Sequence, residues 1–116
     1  MYLTVEQIAS VCHELNRAYC RVLGDNTQPA WDEAPEWQRG SAIIGVNDIL
    51  TGSISTPRES HESWATQKLN DGWKWGPTKN PELKEHPNLV DYDELPYEQR
   101  VKDTLFYETV RILSGR

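Results

Sequence analysis

Lysine and tryptophan are interleaved over one short stretch of this chain. Lys68, Lys74, Lys79 and Lys84 fall within 17 residues, with Gly72-Trp73-Lys74-Trp75-Gly76 among them. Only Asp71 and Glu82 oppose them there, so the window is +2 inside a chain of net charge −6. Tryptophan offers a π-face, worth ~1–3 kcal/mol when stacked on a nucleobase. Lysine supplies point charge for a phosphate or carboxylate, and glycine lets backbone N–H groups approach a ligand closely. That chemistry is a pocket for a small anionic ring compound. The same residues would equally serve as tryptophans plugging the core of a loop under ordinary solvent lysines, and composition leaves both readings standing.

Within the pocket reading each residue has a role. Trp75 beside Gly76 is the choice to edge the pocket, with Trp73 next to it and Lys79, just after the Gly76-Pro77 turn, contacting the anion. Lys68 adds charge, and Tyr92 stacks or donates its hydroxyl. Trp64 reads as core, and His61, one turn before it, packs on that ring or caps a neighbouring carbonyl. His86 precedes a proline and reads as structural. Arg17 lies between His13 and Arg21 on a basic ridge at i, i+4 and i+8 and could close one wall.

Catalytic motifs are missing. The sequence holds no G-x-S-x-G, no P-loop, no H-E-x-x-H and no C-x-x-C. His13-Glu14 begins like a zinc motif, but position 17 is arginine. His13, His61 and His86 have no cysteine or paired carboxylate at ligand spacing, so no metal and no cofactor is expected. Asp91-Tyr92-Asp93-Glu94 reads as a solvated acidic turn rather than a cation site.

These residues need elements to hold them. Thr4-Val5-Glu6-Gln7 is a capping box, and Val5, Ile8, Cys12, Leu15, Tyr19 and Val22 then form one apolar stripe on a helix ended by Gly24. Residues 25–34 read as a loop, with Trp31 and Trp37 clamping it onto the helices. Pro35 opens a second helix, weakened by Gly40 and Gly45. Thr56-Pro57-Arg58-Glu59 starts a third, running to about Asp71 and stopping at Gly72. Pro96 opens the last, which ends at Ser114-Gly115. Residues 72–95 hold too much glycine and proline for one helix, and Trp73-Lys74-Trp75 is a candidate strand. The fold class is mainly α: about four helices and one long ordered loop, with a small β element expected in it.

Composition narrows the class. The chain has 116 residues, with 12 basic and 18 acidic side chains, which suits one domain. Mean hydropathy is −0.72, yet five tryptophans and five tyrosines argue against disorder. A pI near 5.0 makes a poor duplex nucleic-acid binder. No stretch approaches the ~20 apolar residues of a membrane span, and no basic segment with an apolar run opens the chain. Cys12 and Cys20, ~12 Å apart along a helix at ~1.5 Å per residue, cannot pair with each other. Cys12 fits the apolar stripe and Cys20 lies off it. Reduced cysteines suit a soluble, cytoplasmic domain.

From position 56 onward a more specific pattern emerges: His61-Glu62-Ser63-Trp64, Lys68, Gly72-Trp73-Lys74-Trp75-Gly76-Pro77, Lys79, His86-Pro87-Asn88-Leu89-Val90, Tyr92, Leu95-Pro96 and Lys102-Asp103. This combination resembles the RyR repeat domain, named for its copies in the cytosolic part of ryanodine receptors and found as short single-domain proteins in bacteria and phages. The resemblance covers roughly residues 43–113, and residues 1–42 look like the N-terminal helical extension of the short members. Asp91 stands where those members often have proline, and Asn88 where cysteine is common. The resemblance implies a mainly helical domain without enzymatic activity, acting as an interaction or regulatory module. Members of the wider family recognise adenine nucleotides or nucleotide-derived signals. The expected function is therefore non-catalytic binding of a small anionic, nucleotide-like ligand. In a phage protein in the host cytoplasm, that would sequester a defence signal. The competing expectations are a protein-interaction module using its acidic surface, with a protein partner or a second copy, and, more weakly, a hydrolase using Glu or Asp with His.

Overall fold

The structure is a computed structural model that describes residues 2–115. Four helices dominate: α1 (Val5–Val22), α2 (Glu36–Leu50), α3 (Pro57–Asn70) and α4 (Tyr97–Ser114). Single 3₁₀ turns at Trp31–Glu33 and Tyr92–Glu94 precede α2 and α4. Two two-residue strands, β1 (Lys74–Trp75) and β2 (Glu85–His86), lie between α3 and α4. The protein is mainly α, as its residue pattern implies.

The helix starts follow local chemistry. Thr4 accepts a hydrogen bond from the Gln7 N–H while the Gln7 side chain accepts from the Thr4 N–H, a complete capping box. Thr56 accepts from the Glu59 N–H, with Pro57 at the first helical position. Gly72, at φ 88°, reverses the chain after α3, a conformation that strongly favours glycine. The backbone N–H of Trp73 then returns to the Lys68 carbonyl at 2.9 Å.

α4 packs against all three other helices, and α2 bridges α1 and α3. The tight core joins Ile8, Ala9 and Cys12 of α1 to Val46 and Ile49 of α2 and Tyr107 and Val110 of α4, with Trp31 and Ile54 sealing it. It therefore uses the start of α1 and the C-terminal halves of α2 and α4. A cavity opens beside this core, and Cys12 and Ile54 belong to both.

The α1 stripe differs from the expected one. Leu15 is 40 % exposed and Val22 is 82 % exposed, whereas Ala9, His13 and Cys20 are buried. The buried row turns toward positions 9, 13 and 20: Ala9 joins the core, and His13 bonds to the Pro29 carbonyl of the 25–34 loop. Cys20, expected off the apolar face, is only 1 % exposed. Both cysteines are free, and burial pushes the Cys12 thiol up to about 12.

Gly45 has a packing role in α2. A Cβ there would stand 3.0 Å from Cζ of Phe106, so the glycine permits close approach of α2 and α4. Gly76 has an equivalent role between strands, since a Cβ there would meet Cβ of Glu85 at 2.5 Å. β1 and β2 pair in parallel, Lys74 with Glu85 and Trp75 with His86. An antiparallel bridge between Asn80 and Glu85 folds the intervening loop back on β2.

Candidate functional site

The cavity has a volume of about 450 Å³. That is in the range of small-molecule sites, ~300–1,000 Å³. α1 contributes Cys12, His13 and Asn16, the following loop Thr27 to Pro29, and α2 Trp37 to Gly45. α3 adds His61, Trp64 and Lys68. The β segment adds Trp73, Lys79 and His86, and α4 adds Lys102 and Asp103.

One wall is aromatic. The Trp64 ring meets the His86 ring edge-on at a centroid distance of 4.9 Å and lies 5.7 Å from that of His61. Trp64, read from sequence as core, is half-buried and lines the cavity instead. Trp73 is buried beside His86, 6.4 Å away. The Lys68 ammonium lies over two indoles at once, 4.4 Å from the centroid of Trp73 and 4.4 Å from that of Trp37. Burial pushes the Lys68 ammonium below the usual lysine range; the Lys79 charge adds to this and Asp71 opposes it.

The remaining charge comes from Lys79 and Lys102. Burial first, and then the charges of Lys79, Lys68 and Lys102, push the His86 imidazole down to about 4. At neutral pH that ring is uncharged. Its Nδ1 accepts the Asn88 N–H at 3.0 Å, which leaves the ring proton on Nε2 as a donor without a hydrogen-bond partner among the described residues. On the same wall, His61 Nε2 lies 2.8 Å from the Val90 carbonyl and must donate to it. Its Nδ1 faces Asp103 Oδ2 at 3.8 Å. Burial pushes the Asp103 carboxyl up to about 7, against the lowering effect of Lys102. Several amides and hydroxyls are paired within the wall: Ser41 with Gln67, Gln38 with Gln28, and Asn88 with Gln99.

Of the residues singled out from sequence, His61, Lys68, Trp73 and Lys79 come together in this cavity. Arg17, Trp75 and Tyr92 do not line it. Arg17 donates from Nε to the Gln28 carbonyl at 3.2 Å and from Nη1 to Glu14 at 3.1 Å. Glu14 in turn accepts the Trp31 N–H at 2.9 Å, and His13 donates to the Pro29 carbonyl at 2.7 Å. His13 and Arg17 of the expected ridge, together with Glu14, clamp residues 28–31, of which Gln28 and Pro29 line the cavity. Tyr92 lies outside the cavity, with Arg58 4.9 Å and Arg100 5.9 Å from its centroid. Trp75 is 55 % exposed, because Trp73 precedes the strand and the two rings do not share its alternation.

The lysine cluster also divides. Lys74 points outward to Glu85 at 3.8 Å, and Lys84, at φ 53°, donates to the Asp71 carbonyl at 2.7 Å. Lys102, Asp103 and Trp37 were not singled out from sequence as site residues. The Lys102-Asp103 pair belongs to the recurring pattern quoted above, which was the available signal. Trp37 carried none, since a tryptophan one turn into a helix reads equally as a packing residue.

Fold and cavity together define a small helical domain organised around a ligand-sized chamber with aromatic and cationic walls. Residues 54–115 match the RyR domain family, more than half of the chain, and the chain belongs to that family. The match starts at Ile54, so α1 and α2 precede it. They nevertheless supply cavity residues, Trp37 among them. Among the described residues no group of His, Cys, Asp or Glu is placed to hold a metal ion, and no helix is long and apolar enough to cross a membrane.

Proposed function

We propose that this chain is a non-catalytic module that binds a small anionic, nucleotide-derived ligand in the cavity between α1, α2, α3 and α4. The observation that carries this reading is the joining of Lys68, Lys79 and Lys102 with Trp37, Trp64 and Trp73 around one chamber of about 450 Å³. Indole faces suit a planar base, and ammonium groups suit its phosphates. Two of the cavity's ring nitrogens and its thiol are unavailable as base or nucleophile, which supports binding over turnover. His61 Nε2 and His86 Nδ1 are held by backbone groups, and the Cys12 thiol is far from forming a thiolate at neutral pH.

The test is a panel of AMP, ATP, NAD, cyclic AMP and cyclic di-AMP, read by melting temperature and tryptophan fluorescence. Any panel member at about 100 times its Kd stabilises the fold by roughly 2.7 kcal/mol. Quenched fluorescence and a raised Tm, with the nucleotide recovered intact, support the reading. No shift with any of them overturns it. A second reading, a protein-interaction module, draws on the exposed Leu69, Trp75 and Leu83, none of which lines the cavity. A stoichiometric protein partner, lost on Trp75→Ala with the cavity intact, would favour it.

A further inference from the structure

The arrangement of Trp37, Lys68 and Trp73 is more specific than a general aromatic wall. An ammonium lies over the faces of two indoles, 4.4 Å from each centroid. The two rings therefore stand no further apart than twice that distance. A planar ring inserted between two faces needs about 7 Å, two van der Waals contacts of ~3.5 Å. That bound, twice 4.4 Å or about 8.8 Å, is compatible with an intervening planar ring, and in this structure the lysine ammonium sits against both indole faces.

The walls differ in rigidity. Trp73 is buried, and its backbone N–H is tied to the Lys68 carbonyl. Trp37 sits in the first turn of α2 and is 56 % exposed, so it forms the outer wall, on the solvent side. Lys68 enters from α3 on a flexible four-carbon stem that can swing without moving the helix. Its ammonium is crowded by Lys79, with Asp71 the favourable charge nearby. A planar ring replacing that desolvated cation would exchange two cation–π contacts for two stacking contacts, and the freed ammonium would join Lys79 and Lys102 at the cavity.

We propose that the Trp37–Trp73 slot is the ring-recognition subsite, that Lys68 holds it open in the free protein, and that an entering planar ring displaces Lys68 onto the ligand's anionic group. The proposal rests on the anion-binding reading above and goes beyond it, assigning ring and charge to different residues. The ligand class it specifies is a planar heteroaromatic ring carrying at least two negative charges. A bare polyphosphate would use only the lysines.

The experiment compares ATP with inorganic tripolyphosphate by calorimetry on the full chain, as wild type, Trp37→Ala and Trp37→Phe. Trp37 is mostly exposed, so its removal leaves the core intact, and circular dichroism checks that. The wild type should bind ATP at least about ten-fold more tightly than tripolyphosphate, in line with one base–indole stack. Trp37→Ala should abolish that preference while leaving tripolyphosphate affinity unchanged, and Trp37→Phe should restore most of it. An ATP preference that survives Trp37→Ala overturns the slot while leaving anion binding in place. Equal affinity for the two compounds in the wild type does the same. Absence of binding by either overturns the slot and the anion-binding reading together.

Discussion

His61 Nδ1 stands 3.8 Å from Asp103 Oδ2 while the opposite ring nitrogen is committed to the Val90 carbonyl. Burial pushes the Asp103 carboxyl up to about 7, against the lowering effect of Lys102. The folded state then holds a proton on Asp103 that the unfolded chain releases near pH 4, so this group makes stability fall as pH rises from about 4 to 7. His86, pushed down to about 4, acts oppositely. The unfolded ring is protonated below about 6.5 while the folded one is neutral, so its contribution rises with pH from about 4 to 6.5. The two slopes largely cancel in the wild type. Asp103→Asn should unmask a rise of roughly 3 kcal/mol between pH 4 and 6.5, and His86→Asn a comparable fall between pH 4 and 7. Urea denaturation across that range checks both, and profiles identical to wild type would show that neither group is shifted as described.

The two helical glycines of α2 should respond oppositely to alanine. Nothing lies within 4 Å of a Cβ at Gly40, so Gly40→Ala should gain about 0.5–1 kcal/mol from helix propensity. At Gly45 the same methyl meets Cζ and Cε1 of Phe106 at 3.0 and 3.1 Å, and overpacking costs about 1–3 kcal/mol. Gly45→Ala should lower Tm and Gly40→Ala should raise it. Because Phe106 also lines the cavity, Gly45→Ala should weaken nucleotide binding as well.

The helix caps were legible because they are local: Thr4 with Gln7, and Thr56 with Pro57, act within four residues. The RyR pattern was legible because its residues recur in order along the chain. What sequence could not show depends on contacts distant in the chain. Gly45 reads as a helix defect until Phe106, on another helix, is seen against it. The positive window around Trp73 suggested four lysines acting together, yet Lys74 and Lys84 are tied to Glu85 and the Asp71 carbonyl, and the third cavity cation, Lys102, comes from α4. Cys20 was misplaced because a single stripe was drawn through a helix whose later turns face a different neighbour.

The clamp on the 25–34 loop makes a separable prediction. Glu14 accepts the Trp31 N–H and pairs with Arg17, and the Trp31 bond is the main reason its carboxyl lies below the usual range. Its side chain is 43 % exposed, so water can take over part of the lost bond. Glu14→Ala should cost only about 1 kcal/mol of stability. It should nevertheless raise amide exchange at Gln28, Ala30 and Trp31, because the loop beside the cavity has lost one of its anchors. Exchange unchanged there would mean that His13 and Arg17 hold the loop unaided.

The division of the lysines gives the sharpest test of where the anion sits. Lys79 and Lys102 line the cavity and both act on His86, whereas Lys74 is on the outside of β1 against Glu85. Contacts from charged donors to a phosphate are worth about 1.5–3 kcal/mol each. Lys79→Ala and Lys102→Ala should therefore each weaken ATP and tripolyphosphate alike by about ten-fold or more. They should also flatten the dependence of affinity on salt, because fewer cations remain to be screened. Lys74→Ala and Trp75→Ala, which change the same segment without touching the chamber, should leave both affinities within about two-fold of wild type. If instead the outer pair weakens ATP and the inner pair does not, the anion binds on the β1 surface. The lysine-rich window would then function as a surface patch.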